Sequence, residues 1–253
     1  MHVLIPVKRV VDYNVKVRVK SDGSGVDTAG VKMSINPFDE VAVAQAVLMR
    51  QAGQVSRVTV VSCGGPIAQD VLRTALAMGA DAAILLDPGT GESDGPALTE
   101  ALSVLVQHEG VGLVLCGKQA IDDDLGDTAP MLAALLDWPQ AISVNRIELI
   151  DAGLRVDCDG DQGLEQWRLP LPAVLGVDLR LCDPRPISLP NMMKAKKAVI
   201  TMLPLAELAS SASGRMRVLS CTTPPARAAG VRVGSLPQLL DLLRHLPALN
   251  AGT

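Results

Sequence analysis

The segment between residues 58 and 116 alternates short apolar runs with longer amphipathic ones, and this alternation decides the fold. The apolar runs are Val58-Thr59-Val60-Val61-Ser62, Ala83-Ile84-Leu85-Leu86 and Gly112-Leu113-Val114-Leu115-Cys116. Helical periodicity fills the intervals at 67–78 and 96–108. Continuous apolar strands that alternate with helices predict a mostly parallel, doubly wound α/β sheet with helices on its faces. Ligands of such sheets bind beyond the carboxyl ends of the strands.

Patterns on either side of this segment extend the prediction. Residues 3–7 form another apolar strand, and Pro37 is suited to start a helix that runs to about Gln51, with Asn36 as its N-cap. Strict alternation over 15–20 predicts a strand with one buried and one basic face, which turns at 21–25 and returns through 31–35. A helix is expected from Thr128 to Leu136, and further strands over the ranges 141–150, 154–159, 164–169 and 173–177.

The composition changes after residue 182. Asp183-Pro184-Arg185-Pro186 cannot lie inside a sheet, because proline fixes φ and lacks an N–H donor. We therefore predict three parts: a nucleotide-binding α/β domain at 1–182, a protruding partner-docking loop at 183–198, and an extended C-terminal tail at 199–253 that wraps a partner. The tail contains a strand pattern at 217–221 and an amphipathic helix at 236–246.

The docking prediction depends on Leu189-Pro190-Asn191-Met192-Met193-Lys194-Ala195-Lys196-Lys197. A leucine and two methionines on an exposed arm indicate an apolar anchor, and the lysines would attract an acidic partner surface. A solvated loop that leads into a helix N-terminus explains the same residues without any partner.

Composition excludes several classes of function. A net charge of −4 argues against a nucleic-acid binder. The longest apolar runs are too short to insert into a membrane, and a strand at 3–7 leaves no space for a signal peptide, which indicates a cytoplasmic protein. Five widely spaced cysteines indicate reduced thiols, and three isolated histidines indicate no metal site.

Three loops that follow predicted strands offer ligand-binding chemistry: Pro6-Val7-Lys8-Arg9, Ser62-Cys63-Gly64-Gly65, and the long loop from Gly117 to Thr128. Small residues and a helix N-terminus present backbone N–H groups to an anion, so their convergence predicts a nucleotide site. The second loop resembles the pyrophosphate loop of ATP-cleaving proteins but lacks its Asp and second Ser, which favours binding without hydrolysis. Asp122, Asp123 and Asp124 could hold Mg²⁺ or form a solvated acidic turn that caps a helix. No nucleophile–base pair stands out, so an enzyme is not predicted.

Several motifs together resemble the beta subunit of electron-transfer flavoprotein, over about residues 3–230. They are Val7-Lys8-Arg9-Val10-Val11-Asp12-Tyr13, Asn36-Pro37-Phe38, Thr74-Ala75-Leu76-Ala77-Met78-Gly79-Ala80-Asp81, the loop from Gly117 to Asp124, Asp137-Trp138-Pro139-Gln140, and Leu189 to Lys197. The resemblance implies an adenine-nucleotide hydrolase-like α/β fold and a structural AMP. It also implies an alpha-subunit partner that holds most of the FAD, and a leucine anchor for acyl-CoA dehydrogenases.

Carried over by position, the resemblance assigns three sets of residues. AMP contacts fall on Pro6, Asn36, Pro37, Phe38, Asp39, Cys63, Gly117, Lys118, Gln119, Ala120, Ile121, Asp122, Asp123, Asp124, Leu125, Gly126, Asp127 and Thr128. Tyr13 and Phe38 would lie near the flavin, although Phe38 could instead be an apolar staple at a helix start. Docking falls on Leu189, Lys194, Lys196 and Lys197. At Gly126 and Asp127 the family pattern has two amide side chains, so this chain lacks those two side-chain donors.

The implied function is electron transfer from acyl-CoA and other flavin dehydrogenases towards a quinone oxidoreductase. A bifurcating relative with a second FAD in the AMP site is the first alternative, and the docking arm favours the non-bifurcating kind. An adenine-nucleotide-binding stress-type sensor is the alternative from another class, and an ATP pyrophosphatase-like enzyme is a third.

Overall fold

The computed structural model describes residues 1–89, 95–151, 153–209, 218–227 and 229–245. A nine-stranded sheet dominates them, in the order β11-β5-β4-β1-β6-β10-β7-β8-β9. Its strands are β1 (His2–Pro6), β4 (Arg57–Cys63), β5 (Ala82–Asp87), β6 (Leu113–Gly117), β7 (Gln140–Ile150), β8 (Gly153–Gly160), β9 (Gly163–Leu169), β10 (Ala173–Val177) and β11 (Thr201–Pro204). A separate antiparallel pair consists of β2 (Arg9–Val11) and β3 (Met33–Ile35).

Helices cover both faces of the parallel strands, as predicted. They are α1 (Pro37–Gln51), α2 (Gln69–Met78), α3 (Gly95–His108) and α4 (Thr128–Leu136). Buried residues of α1 and α2 join one core cluster, and those of α3 and α4 join a second cluster on the other face. The central strands are buried on both faces, which explains why they are continuous in Val, Leu and Ile. The doubly wound α/β fold is therefore confirmed.

The carboxyl-terminal part of the sheet is a mixed extension. Strand β10 lies between β6 and β7 and runs parallel to both. Strands β7, β8 and β9 continue the sheet as an antiparallel meander, in agreement with the strands predicted over this region.

The hairpin predicted over 15–35 is wrong in its pairing. The segment over 15–20 forms one isolated bridge, between Val19 and Val26, rather than a strand. Strand β3 pairs instead with β2, through partners such as Val10 and Ser34. Val17 is exposed, because no sheet lies beneath the apolar side of the alternating segment.

The chain beyond residue 182 contributes more to the fold than expected. Helix α5 (Leu189–Lys197) is followed by β11, which pairs in parallel with β5 at the edge of the sheet, so the sheet extends past the predicted domain boundary. The strand predicted at 217–221 is absent from residues 218–221, and Arg217 lies outside the described residues. Cys221 is held instead by a bond from its N–H to the Gly23 carbonyl, at 2.8 Å.

The predicted last helix is confirmed as α6 (Leu236–Arg244), and Leu246 lies outside the described residues. Its leucines are exposed. No helix within the described ranges is long and apolar enough to cross a membrane. All five cysteines fall in those ranges, and none is in a disulfide.

Candidate functional site

A cleft of about 240 Å³ opens at the carboxyl ends of β1, β4 and β6. Strand β1 has β4 on one side and β6 on the other, so the order of the strands reverses here, which is where doubly wound sheets bind ligands. The three loops that were predicted to converge all line this cleft. The lining residues are Pro6, Val7, Lys8, Asn36, Asp39, Val61, Ser62, Cys63, Gly95, Leu98, Leu102, Cys116, Gly117, Lys118, Gln119, Ala120, Asp123, Leu125, Gly126, Asp127 and Thr128.

Asn36 fixes the long loop to the start of α1. It occupies the N-cap position, but its side chain makes no capping bond. Its amide nitrogen donates to the Gln119 carbonyl at 2.9 Å, and its carbonyl oxygen accepts the Ile121 N–H at 3.2 Å. The prediction of an N-cap is therefore correct in position and wrong in chemistry, because the amide joins two segments more than 80 residues apart.

Asp39 is a buried carboxyl group in the wall of the cleft, with 6% of its surface exposed. Burial raises its pKa to about 7, although bonds from the Lys8 and Gly117 N–H groups and from Asn36 act in the opposite direction. The Lys8 N–H donates to Asp39 Oδ2 at 2.7 Å. A buried titratable group in a cleft is a frequent feature of functional sites.

Gly117 allows α1 to approach the end of β6. A Cβ atom at this position would lie 2.2 Å from Asp39 Oδ1 and 2.8 Å from Phe38 Cβ. Contacts this short cannot exist, so no larger residue fits here without movement of α1.

Lys8 forms ion pairs with two carboxylates of the long loop. Its Nζ lies 2.8 Å from Asp122 Oδ1 and 2.7 Å from Asp123 Oδ2. Burial alone would lower the pKa of Lys8, but bonds to the two carboxylates raise it above its ordinary value. All three side chains are partly exposed, so the pair contributes little to stability, on the order of 1 kcal/mol or less.

This arrangement bears on the two interpretations of the acidic turn. Within the described ranges no group of three or more His, Cys, Asp or Glu side chains is placed to hold a metal ion. The expected cap is also not formed, since Asp124 accepts a bond from Gln119 and the N-cap position of α4 belongs to Asp127. The carboxylates of Asp122 and Asp123 form ion pairs with Lys8 instead.

Ser62 is the strongest indication of a ligand. It is 3% exposed, it lines the cleft, and its Oγ has no hydrogen-bond partner. An unpartnered buried hydroxyl costs about 1–3 kcal/mol. Ser34 Oγ, which does not line the cleft, is unpartnered in the same way.

The two departures from the family pattern lie at the end of the long loop. Gly126 has a φ of 62°, and a Cβ there would lie 3.2 Å from the Lys118 carbonyl. Asp127 makes no side-chain cap bond, and a Cβ on Gly95 would lie 3.1 Å from its Oδ2. Its carboxylate is therefore directed at the first residue of α3.

Most of the predicted nucleotide residues line the cleft, and several do not. Those outside the wall are Pro37, Phe38, Ile121, Asp122 and Asp124. Val7, Lys8 and Ser62 belong to two of the loops that were predicted to form the nucleotide site, although they were not among the assigned AMP contacts. Sequence reasoning assigned no role to the wall residues Val61, Gly95, Leu98, Leu102 and Cys116. Gly95, Leu98 and Leu102 come from α3, and nothing in their sequence marks them.

The two predicted flavin neighbours differ in exposure. Tyr13 is 73% exposed, whereas Phe38 is 8% exposed in the first turn of α1. Tyr13 follows Asp12, a buried carboxylate that accepts the Asn14 N–H at 2.9 Å and pairs with Lys32 Nζ at 2.7 Å. An aromatic ring is thus held in solvent by a braced turn.

The predicted docking residues lie in α5. Leu189 is 70% exposed and is the first residue of the helix, after the N-cap Ser188, whose Oγ accepts the Asn191 N–H. Lys194, Lys196 and Lys197 occupy its last turn. The segment is therefore a helix that presents an exposed leucine, rather than a loop.

A doubly wound sheet with a polar cleft at its switch point places this chain in the open α/β class of proteins, whose ligands bind at that position. Comparison with known proteins identifies the family. Residues 24–208 match the electron transfer flavoprotein domain. The chain is 46% identical over 245 residues to the electron transfer flavoprotein subunit beta of Bradyrhizobium diazoefficiens, covering 97% of this chain and 98% of that protein. It belongs to the family of electron-transfer flavoprotein beta subunits, as the sequence motifs predicted.

Relatives from other kingdoms match over the same extent. The human electron transfer flavoprotein subunit beta is 45% identical over 249 residues, covering 97% of this chain and 98% of the relative. A relative from Oryza sativa subsp. indica, electron transfer flavoprotein subunit beta, mitochondrial, is 46% identical over 248 residues, with the same two coverages. Because that relative is named as mitochondrial, the cytoplasmic location predicted from sequence stays a prediction.

Proposed function

We propose that this chain is the electron-carrier subunit of a heterodimeric electron-transfer flavoprotein. Its alpha-subunit partner would hold most of the FAD, and the heterodimer would accept electrons from acyl-CoA and related dehydrogenases and pass them towards a quinone oxidoreductase. Membership of the beta-subunit family over nearly the whole chain is the observation that carries this proposal. The subunit would act as a carrier and would not make or break bonds itself.

The cleft would hold AMP as a structural ligand. Ser62 lines the cleft and its hydroxyl has no protein partner, which supports this assignment. Thr128 and the N-terminus of α4 are suited to the phosphate, since the first N–H groups of a helix have no partner within it. Lys118 also lines the cleft, and its Nζ is held 3.2 Å from Asp178 Oδ2.

Two carboxylates set limits on where a phosphate would lie. Asp123 shares the positive charge of Lys8 with Asp122, and the Asp127 carboxylate lies close to Gly95. Asp39 is buried and has a raised pKa, which reduces its charge near neutral pH. The cleft is thus less repulsive to an anion than its count of acidic residues indicates.

Tyr13 would contact the flavin. Bound FAD supplies the one- and two-electron chemistry, and the protein supplies position and environment. A 73% exposed tyrosine on a turn braced by Asp12 is suited to contact a ring that a partner carries. Phe38 is buried at the start of α1, so its contact with the flavin would require that the partner reach that helix turn.

Docking of dehydrogenases would use α5. Leu189, Met192 and Met193 are all exposed and stand three and four positions apart, which places them on one helix face. Burial of a leucine in a partner pocket contributes roughly 1.5–3 kcal/mol. Lys194, Lys196 and Lys197 would mainly raise the association rate, in a salt-dependent manner.

Extraction of ligands tests the proposal directly. The chain is co-expressed with its alpha subunit, purified as the heterodimer and denatured, and the released nucleotides are quantified. We expect one FAD and one AMP per heterodimer. Two FAD molecules would indicate the bifurcating alternative, and a homodimer that releases ATP would indicate the stress-type sensor and refute the carrier function.

A further inference from the structure

Helix α5 is too short and too exposed to be stable alone. It has nine residues, and isolated helices shorter than about 12–15 residues are marginal in water. Ala195 is its single buried residue among those described. Ser188 caps the N-terminal end. The burial of one alanine contributes little to holding α5 in place, so contacts at its C-terminal end add to its stability.

Arg73 supplies such contacts. From helix α2, its Nη1 donates to three main-chain carbonyls at the end of α5, those of Ala195 at 2.9 Å, Lys196 at 3.1 Å and Ala198 at 3.3 Å. The last carbonyls of a helix carry the negative end of its dipole and have few partners within it. The Ala195 carbonyl also accepts the N–H of Ala198, the C-cap residue, at 3.2 Å. A guanidinium is suited to this place because it is always charged and donates in several directions.

A further hydrogen bond, to Gln69, orients the guanidinium group of Arg73. Its Nη2 lies 3.4 Å from Gln69 Oε1, one turn earlier in α2. Its acceptors are carbonyls of a specific helix end, rather than a carboxylate that a mobile side chain could offer elsewhere. The contact therefore fixes α5 relative to α2, and α2 belongs to the buried core.

We propose that Arg73 is a positioning residue for docking: it clamps the C-terminal end of α5 and thereby holds Leu189 in a fixed place for the dehydrogenase. Arg73 does not touch the dehydrogenase in this mechanism. It acts by keeping α5 helical, so that the partner binds a preformed surface and does not have to order one. The inference rests on the proposed docking function of α5.

Loss of the Arg73 hydrogen bonds in Arg73→Ala should make helix α5 open more often, without a change elsewhere. Hydrogen exchange of the heterodimer, followed by mass spectrometry, should show amides of α5 exchanging about tenfold faster or more, as expected for lost hydrogen bonds to a charged group. Trypsin should cut faster at Lys194, Lys196 and Lys197. Arg73→Lys should restore part of the protection, because a single ammonium keeps the charge but not the fork of donors. Arg146→Ala, on the exposed part of β7, is the matched control and should change neither readout.

Docking is measured separately, by dehydrogenase-driven flavin reduction. In Arg73→Ala the KM for the dehydrogenase should rise about threefold or more while kcat at saturation is retained, because the flavin is untouched and only preorganisation is lost. FAD content should equal that of the wild type. A general loss of stability would instead reduce FAD content and kcat together.

Leu189→Ala separates a failure of the clamp from a failure of the docking function. Unchanged α5 exchange in Arg73→Ala overturns the inference, whatever the Leu189 variant does. Faster exchange with an unchanged KM also overturns it, provided that Leu189→Ala raises KM. If both variants leave KM unchanged, the docking function fails, and the positioning role assigned to Arg73 is overturned with it.

Discussion

The buried carboxyl group of Asp39 should make the stability of this protein depend on pH. Its pKa in the folded state is about 7, against an ordinary value of 3.8, because burial disfavours the charged form. The folded protein therefore binds this proton more tightly than the unfolded chain. The stability that Asp39 contributes is complete below about pH 4 and is lost as the pH rises through about 7. Asp39→Asn, which is neutral at every pH, should remove this dependence.

The size of the effect follows from the two pKa values. Between about pH 5.5 and about pH 8.5, linkage gives a loss of about 2 kcal/mol of unfolding free energy from this single group. For chains of this length 1 kcal/mol corresponds to about 2–4 °C in Tm, so the wild type should lose about 4–8 °C more than Asp39→Asn over this interval. The quantity compared is the change in Tm of each protein between the two pH values. A constant loss of stability from the amide beside the Lys8 N–H therefore does not affect the comparison.

Differential scanning calorimetry of the heterodimer at the two pH values measures this difference. Asp161→Asn, an exposed carboxylate at the turn between β8 and β9, serves as the control and should follow the wild type. If wild type and Asp39→Asn lose equal Tm between the two pH values, then Asp39 does not titrate with a raised pKa. The account of its burial in the cleft would then be wrong.

Four further outcomes are expected. Gly117→Ala should lower Tm by more than about 5 °C, because its Cβ would overlap Asp39 and Phe38. The control Gly65→Ala should leave Tm unchanged, because no atom lies within 4 Å of a Cβ at that position. Equal Tm values for the two variants in calorimetry would contradict the close approach of α1 to Gly117. Removal of AMP should lower the refolding yield and Tm of the heterodimer, because a ligand that binds only the folded state stabilises it, and an identical yield and Tm would exclude a structural nucleotide. Tyr13→Ala should alter the flavin spectrum or potential with the fold retained, and no change in either, or in FAD affinity, would remove its proposed contact. Leu189→Ala should weaken docking by about tenfold, as the loss of a buried leucine predicts, and acyl-CoA-driven flavin reduction that is as fast as wild type at limiting dehydrogenase would refute the anchor.

The sequence predicted the parallel sheet well because its signal is local. A strand buried on both faces must be apolar throughout, and the helices that cover it must repeat with a period near 3.6. The runs at 58–62, 83–86 and 112–116 all became strands of the core. The carboxyl ends of β1, β4 and β6 then followed from topology, and so did the three loops of the cleft.

The errors arose where pairing depends on a distant segment. Val15, Val17 and Val19 alternate with basic residues as a half-buried strand does, yet they join no sheet and Val17 is exposed. Thr201-Met202-Leu203-Pro204 was missed as a strand because it is short and ends in proline. It forms β11 only because β5 presents an unpaired edge, where the absent N–H of Pro204 is tolerated.

The chemistry of the cleft was less predictable than its position. Loop residues could be assigned from their order along the chain, but the side of α3 that faces the cleft depends on how that helix packs. The bonds that shape the site join residues far apart in sequence, such as Lys8 to Asp122 and Asn36 to Gln119. No local pattern encodes such pairs.

One turn of α2 contacts both α5, the helix proposed for docking, and β2, the strand that precedes Tyr13. Arg73 bonds the end of α5, and Asp70, three residues earlier, pairs with Arg9 Nε at 2.7 Å. Arg9 belongs to β2, which leads directly into the braced turn that carries Tyr13. Residues three apart lie on the same side of a helix, so both contacts use one rigid, core-packed surface. If dehydrogenases dock on Leu189 as proposed, this surface would hold them at a defined place relative to Tyr13. Electron transfer between two bound flavins requires such a fixed geometry from a carrier that contributes position rather than chemistry.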